Sequence, residues 1–197
     1  MKAIILSKKG NVNQLKYTEL PLPSIREGEV LVETKAIGIN PIDLKTRNGK
    51  GVYTMLQNED PIILGWELSG IVKKTCSEKF NEGDEVFGLV NFPGHGKTYA
   101  EFVACSANNL AKKPEEISHF EAAATSLAAL TAYQALVYLA KLKSHHKILI
   151  HAASGGVGHF AIQIAKHIGA YVAGTSSIEN RKFVLSLGAN KHLDYKT

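Results

Sequence analysis

A glycine-rich loop set between an apolar strand and an amphipathic helix constrains this chain more than any other feature. The loop runs from Ala153 to Gly158 and follows the short apolar run Lys147–Ala152, which is typical of a buried parallel strand. Beyond the loop, apolar residues recur at helical spacing on one stripe, and Gly169 ends the pattern. The stripe consists of Val157, Phe160, Ala161, Ile164, Ala165 and Ile168. A strand, a tight turn and a helix in this order predict the start of a βαβ unit.

The pattern continues through a second helix and a third strand. Tyr171–Ala173 is the second predicted strand, Glu179–Leu187 the second helix, and His192–Tyr195 the third strand. This is the first half of a doubly wound parallel sheet. Because a parallel sheet cut at its third strand would leave an unpaired apolar edge, we expect a fragment of a longer protein, or a second chain that supplies the edge. We favour the fragment.

Three loop positions match the glycine positions of the dinucleotide-binding fingerprint, with alanine in the first: Ala153, Gly155 and Gly158. Small residues there let the chain turn tightly, let the backbone approach a pyrophosphate, and let the helix pack on the strand. The helix N-terminus then offers free N–H groups to the phosphates. An ordinary glycine turn is the alternative, but the flanking strand and helix favour dinucleotide binding. The candidate cofactor-binding residues of the loop are Ser154, Gly155, Gly156, Val157 and Gly158.

The end of the second strand distinguishes between NADH and NADPH. An NAD site usually places a carboxylate there for the adenosine ribose, whereas this chain has Gly174-Thr175-Ser176-Ser177 followed by Arg181. Ser176, Ser177 and Arg181 are therefore candidate ligands of a 2′-phosphate, and NADPH is the expected cofactor. Ser176 can also cap the following helix, with Glu179 completing a capping box, and the two roles are compatible.

The N-terminal part has a different pattern, of short strands separated by turns. The strand candidates predict a small, mostly antiparallel barrel. They are Glu29–Ile39, Glu67–Val72, Glu82–Gly88 and Thr98–Val103. Ser118 and Glu121 then form a predicted capping box, which opens a long helix over Ala122–Leu142.

Composition excludes several classes of protein. The net charge of +5 is mild and the lysines occur as dispersed pairs, so nucleic-acid binding is not expected. A run of about eighteen apolar residues is missing, so no membrane span is expected. Cys76 and Cys105 are the only cysteines, which excludes a disulfide framework and makes a reducing cytoplasm the default location.

Several independent motifs occur in order along the whole chain. They are Gly38–Asp43, Pro61–Glu67, Gly83–Gly88, Leu130–Tyr133 and His151–Gly158. Together they resemble the medium-chain dehydrogenase/reductase superfamily, in particular its zinc-free quinone oxidoreductase branch. The resemblance implies an α/β chain with an N-terminal GroES-like β-barrel over residues 1–117. The first half of a Rossmann doubly wound parallel sheet would follow over residues 118–197, and family members are considerably longer than this chain.

At two positions the chain lacks residues that bind the catalytic zinc in other branches of the superfamily. Zinc-dependent relatives have a cysteine where this chain has Asn40 and a histidine where it has Trp66. An amide is a poor zinc ligand and an indole offers only a donor N–H, so no metal site is expected. The relatives' structural zinc loop corresponds to Asn91–Thr98, which contains no cysteine. His95 in that loop is expected to be a solvated residue.

The resemblance implies hydride transfer from NADPH to a quinone or an α,β-unsaturated carbonyl, both small molecules, in a homodimer. Asn40 would lie beside the nicotinamide, and Asp43 would support that loop or cap the helix after Pro41. Tyr53 would contact substrate or donate a proton, the alternative being an exposed loop aromatic. Thr131 would contact the cofactor or bond back within its helix, and Tyr195 would bind the 2′-phosphate. A structural or sensing protein that binds NADPH without significant turnover is the alternative function.

Overall fold

The computed structural model describes residues 1–196. The chain forms two compact units, of which the first covers Met1–Ser126 and the second begins at Leu127. The domain limits expected from the sequence, with a boundary between residues 117 and 118, stay a prediction.

An antiparallel sheet of five strands forms most of the first unit. Its strands, in spatial order, are Phe102–Ser106 (β7), Glu29–Gly38 (β3), Glu67–Thr75 (β5), Glu85–Leu89 (β6) and Leu110–Lys112 (β8). Alternating apolar residues turn one face of the sheet inward, as expected for half-buried strands. The buried cluster on that face includes Val30, Val32, Leu68, Val72, Val86 and Val103.

A smaller antiparallel sheet completes the first unit. It contains Leu15–Glu19 (β2), Lys2–Leu6 (β1) and Ile62–Ile63 (β4), in that spatial order. The predicted antiparallel, strand-rich character is therefore confirmed. In residues 1–126, however, the strands form open sheets and do not close into one barrel.

The predicted strand Thr98–Val103 begins too early. Tyr99 accepts a hydrogen bond from the Ile4 N–H at 2.9 Å and donates its own N–H to the Leu64 carbonyl at 3.0 Å. The segment therefore crosses beside β1 before it enters β7 at Phe102. These backbone partners lie far away in the sequence, so local alternation cannot reveal them.

Short helices join the strands of the first unit. Pro41–Arg47 (α1) begins after Asn40, and Tyr53–Leu56 (α2) follows it. The capping box of Ser118 and Glu121 is confirmed, since Ser118 Oγ accepts from the Glu121 N–H at 3.2 Å and Glu121 Oε2 accepts from the Ser118 N–H at 2.8 Å.

The predicted long helix over Ala122–Leu142 is wrong as one element. It is divided into His119–Ala123 (α3), Ser126–Tyr133 (α4) and a π-helical segment, Gln134–Leu139. The Thr125 hydroxyl, at the first break, donates back to the Glu121 carbonyl at 2.7 Å. Such a bond competes with the helical ladder and bends it.

The second unit contains the predicted parallel βαβ arrangement. The sheet has the order Lys191–Asp194 (β11), Tyr171–Ser176 (β10) and Lys147–Ile150 (β9). The helix Gly156–Ile168 (α5) follows β9 and ends at Gly169, whose φ of 91° suits a left-handed C-cap. The helix after β10 is shorter than predicted, because Ile178–Asn180 is a 3₁₀ turn and only Arg181–Ser186 (α6) is α-helical.

Candidate functional site

The loop between β9 and α5 has the geometry of a phosphate-binding turn. Gly155 precedes α5 in an extended conformation and donates its N–H back to the Ala152 carbonyl at 2.9 Å. No side chain caps this helix end. The N–H groups of the first turn, on Gly156, Val157 and Gly158, have no acceptor within the helix ladder. An anion at this end would be held by N–H groups and by the helix dipole.

Two glycines bring the loop, the helix and the sheet into close contact. A Cβ at Gly158 would overlap the Ala152 carbonyl oxygen and crowd the Ala153 backbone, so α5 can approach β9 only with glycine there. A Cβ at Gly174 would lie 2.8 Å from the Ala153 Cβ and 3.0 Å from Val184 Cγ1. The alanine in the first fingerprint position is therefore accommodated by a glycine on β10, which the sequence pattern did not single out.

Ser176 and Ser177 lie at the carboxyl end of β10, as predicted, but their roles differ. Ser176 is buried, with its Oγ 2.8 Å from His192 Nε2 and 3.1 Å from the Ser177 carbonyl oxygen. The prediction that Ser176 caps the next helix is wrong, because Ser177 occupies the N-cap position of the 3₁₀ turn. Ser176 is instead tied to β11 through His192.

A carboxylate lies nearer to this strand end than the sequence analysis assumed. The Ser177 hydroxyl hydrogen-bonds Glu179 and thereby lowers the pKa of that exposed carboxyl. Ser177 Oγ also accepts from Asn180 Nδ2 at 3.2 Å. Arg181 at the start of α6 and Tyr195 after β11 are exposed side chains. Hydroxyl, guanidinium and phenol groups therefore occur near this end of the sheet, together with two acids, Glu179 and Asp194, of which Asp194 pairs in register with Ser176.

Thr131 lies on α4 and is exposed. Its hydroxyl donates to the Leu127 carbonyl at 2.7 Å, which is the back-bond considered as the alternative to cofactor contact. The back-bond leaves the oxygen lone pairs available, so the cofactor contact of Thr131 stays a prediction.

Asn40 and Asp43 form a polar arrangement at the start of α1. Asn40 is the N-cap of α1, and Asp43 Oδ2 accepts its backbone N–H at 2.7 Å. The helix-capping alternative for Asp43 is thereby observed. Asp43 is only 3% exposed. Burial raises the pKa of the Asp43 carboxyl, although the Asn40 N–H opposes that shift.

Two residues that the sequence analysis did not assign belong to the same cluster. Asn40 Nδ2 donates to Glu67 Oε2 at 2.6 Å, and Glu67 is 2% exposed at the start of β5. Tyr99 has a raised pKa, first because it is buried and then because Asp43 lies beside its hydroxyl. Glu67 could have been suspected as an acid that directly follows the apolar segment Ile62–Trp66. The partner of Tyr99 comes from a distant part of the sequence and leaves no local signal.

Tyr53 begins α2 and is half-buried rather than exposed in a loop. Its ring packs against the cluster of Leu6, Leu56 and Trp66. The Lys9 ammonium lies 6.0 Å from the ring centroid. The predicted contact of Tyr53 with substrate stays a prediction.

Trp66 and His95 make hydrogen bonds of the loop Asn91–Thr98, which corresponds to the structural zinc loop of zinc-dependent relatives. Trp66 is 1% exposed, and its Nε1 donates to the Gly94 carbonyl at 2.6 Å. The expectation that His95 is solvated is wrong, since its side chain is 7% exposed. Its Nε2 accepts the Ile63 N–H at 2.9 Å, and its Nδ1 lies 3.0 Å from Glu59 Oε2.

Within residues 1–196, no group of three or more histidine, cysteine or acidic side chains is arranged to hold a metal ion. The helices of this same part of the chain are each too short or too polar to cross a membrane.

Known proteins resemble both units. Residues 26–115 match the alcohol dehydrogenase GroES-like domain. The chain is 37% identical over 195 residues to a chloroplastic quinone-oxidoreductase homolog of Spinacia oleracea, which covers 95% of this chain and 59% of that protein. The structure of the quinone oxidoreductase from Coxiella burnetii matches with a TM-score of 0.92 at 41% identity, covering 100% of this chain and 62% of that one. A mycobacterial protein solved in complex with NADPH matches with a TM-score of 0.84 at 33% identity, covering 99% and 58%.

A GroES-like domain followed by parallel βαβ units with a dinucleotide-type loop defines one class of oxidoreductase fold. The chain resembles members of that class, the medium-chain dehydrogenase/reductase superfamily, and its predicted resemblance to the quinone oxidoreductases is confirmed. The chain spans about 59% of the length of the curated relative described above.

Proposed function

We propose that the protein is an NADPH-dependent oxidoreductase that transfers a hydride to a quinone or an α,β-unsaturated carbonyl without zinc. The observation that carries the proposal is the loop between β9 and α5. A Cβ at Gly156 would meet no atom within 4 Å, so the backbone there is open to a pyrophosphate. Gly155, Gly156, Val157 and Gly158 supply backbone groups in this proposal, and Ser154 supplies a hydroxyl.

NADPH is proposed over NADH because a cation and hydroxyls lie near the end of β10. Arg181 would pair with the 2′-phosphate. Ser176, Ser177 and Tyr195 would make further contacts with it. The Ser177–Glu179 contact opposes this arrangement and would have to open. The match to a protein solved with NADPH supports the proposal.

In the proposed reaction the bound cofactor supplies a hydride to an electrophilic carbon of the substrate. A proton taken up at the substrate completes the reduction, and NADP⁺ is released. Asn40 would orient the reactants and hydrogen-bond the oxygen on which charge develops, with Asp43 supporting its backbone. Tyr53 would contact the substrate or donate the proton, and Thr131 would contact the cofactor.

Zinc is not required in this proposal. The ring of Trp66 has only a donor N–H, which donates to the Gly94 carbonyl, and the amide of Asn40 is a poor zinc ligand, so both side chains support a zinc-free reaction. We further propose the domain limits 1–117 and 118–197, a homodimer, and a cytoplasmic location.

The test is oxidation of NADPH by the natural full-length protein, followed at the nicotinamide absorbance with a panel of small quinones and enones. We expect turnover with NADPH that exceeds turnover with NADH and that persists after treatment with a zinc chelator. Tight NADPH binding without turnover of any electrophile would favour the sensing alternative. Loss of all activity with the chelator would contradict the zinc-free mechanism.

A further inference from the structure

We propose that Glu67 is a positioning residue for the proposed hydride transfer, because its carboxylate fixes the orientation of the Asn40 side-chain amide. The inference rests on the proposed function, in which Asn40 contacts the reacting molecules. Glu67 itself would touch neither substrate nor cofactor and would act through Asn40.

The contact between the two side chains is short and partly buried. Asn40 Nδ2 lies 2.6 Å from Glu67 Oε2, and Glu67 is 2% exposed. A buried carboxyl group requires hydrogen-bond donors, and an amide N–H is such a donor. Because an amide N–H donates and a carboxyl oxygen accepts, the amide presents Nδ2 to Glu67 in this contact.

This one bond determines the direction of every other polar atom of the Asn40 side chain. The amide group is planar, so fixing one N–H also fixes the second N–H and the carbonyl oxygen. The backbone of Asn40 is held separately by Asp43 Oδ2 at 2.7 Å. Two buried carboxyl groups thus hold Asn40, one at its backbone and one at its side chain.

The neighbouring strand leaves room for the Glu67 carboxylate. Gly38 on β3 pairs directly with Glu67 on β5. A Cβ at Gly38 would overlap Glu67 Oε2 and crowd the Ala123 carbonyl oxygen. The glycine therefore provides the space in which the Glu67 side chain reaches Asn40.

A fixed amide matters for the proposed chemistry because donors contribute most when they are oriented before charge develops. Displacement of a positioning group by about 1 Å can reduce a rate by roughly a hundredfold. Removal of the Glu67 carboxyl group should therefore reduce turnover while NADPH binding, proposed for the second unit, is retained.

The experiment is a double-mutant cycle in the natural full-length protein, with E67Q, N40A and the double variant. Glu67→Gln keeps the shape and replaces the carboxyl group with an amide. We expect kcat for a small quinone to fall by about tenfold to a hundredfold in E67Q, with the KM for NADPH unchanged. In the N40A background, E67Q should change kcat by less than about twofold. Equal effects of E67Q in both backgrounds would overturn the proposal.

Ser69→Ala provides a matched control. Ser69 is a fully buried polar residue on the same strand. Its hydroxyl donates to the Val86 carbonyl at 3.0 Å and lies 2.7 Å from His119 Nδ1, so its partners are other than Asn40. A general weakening of β5 would affect S69A and E67Q alike. We expect S69A to keep the wild-type kcat. If kcat falls equally in S69A and E67Q, the role of Glu67 is only structural.

A spectroscopic measurement separates this proposal from the proposed function. In cofactor-free protein labelled with ¹⁵N, one Nδ2 proton of Asn40 should resonate downfield in the wild type and return upfield in E67Q. If the wild type reduces no quinone or enone, the proposed function fails, and this spectrum alone decides the positioning. Identical Asn40 amide signals in the two proteins would overturn it.

Discussion

The two hydrogen bonds of the buried His95 ring determine which of its nitrogens carries a proton. Its Nε2 accepts the Ile63 N–H, so that nitrogen carries no proton, and its Nδ1–H points to Glu59. The bond to Glu59 is therefore a hydrogen bond of a neutral ring rather than an ion pair. Burial lowers the pKa of His95, which keeps the ring neutral.

We predict that acid weakens the first unit through His95. The unfolded imidazole has a pKa of about 6.5, whereas the folded pKa is lowered, so the unfolded state binds more protons below that pH. The stabilisation is fully present above about pH 6.5 and is lost as the pH falls toward the folded pKa. The thermal midpoint should therefore drop between pH 7.5 and 5.5.

The variant His95→Phe tests the assignment. It removes the titrating group and leaves the Ile63 N–H without an acceptor, at a cost of about 1–3 kcal/mol. At pH 7.5 its thermal midpoint should lie below that of the wild type, and its decline toward pH 5.5 should be smaller. His145→Phe, at an exposed histidine, serves as the control. A pH slope unchanged by H95F would contradict the prediction.

At the scale of elements, the N-terminus of α5 has two glycines that serve different purposes, one in packing and one in the proposed approach of the cofactor. Gly158 is needed for packing, because its Cβ would overlap the Ala152 carbonyl oxygen. Gly156 has open space around its Cβ position and is needed only for the close approach of a ligand. The two glycines are two residues apart and should respond differently to alanine.

We predict that Gly158→Ala destabilises the second unit by about 1–3 kcal/mol, as overpacking does. Gly156→Ala should leave the stability unchanged or raise it slightly, by up to about 1 kcal/mol, because alanine is a better helix former. Both variants should weaken NADPH binding. Thermal denaturation and NADPH titration by fluorescence measure the two effects, and a G156A protein with wild-type affinity would argue against the loop as the pyrophosphate site.

Sequence patterns predicted elements where periodicity and end signals agree. The stripe from Val157 and the stop at Gly169 predicted α5 to within one residue, and the alternation from Glu29 predicted β3. The helix over Ala122–Leu142 failed because alanine-rich composition reports helix propensity and not the breaks between helices. The contacts made by Glu67, Tyr99 and His192 come from residues distant in sequence, so composition and spacing do not reveal them.

At the scale of the whole molecule, cofactor binding should raise stability by linkage. A ligand at one hundred times its Kd stabilises the folded state by about 2.7 kcal/mol. We predict that NADPH raises the thermal midpoint of the full-length protein more than NADH does at equal concentration. The physical reason is the charge-assisted contact between Arg181 and the 2′-phosphate.

Arg181→Ala should remove most of the difference between the two cofactors in this thermal-shift assay. Lys182→Ala is the matched control, because Lys182 is the next residue and is equally exposed. An equal loss of this difference in both variants would indicate only a general attraction between positive side chains and the cofactor phosphates. A preference for NADH in the wild type would assign the Ser177–Glu179 pair to ribose recognition instead.

The contact between Ala153 and Gly174 restricts the order in which the two positions can change. Starting from the present pair, an alanine at position 174 would press on both the Ala153 methyl and Val184, whereas a glycine at position 153 would only open a small void. In evolution, alanine and glycine could therefore exchange places at positions 153 and 174 through an intermediate with glycine at both positions. An intermediate with alanine at both positions would be overpacked. Even after that exchange, Val184 Cγ1 would lie 3.0 Å from the new methyl group, so the Val184 side chain would have to move by a few tenths of an ångström.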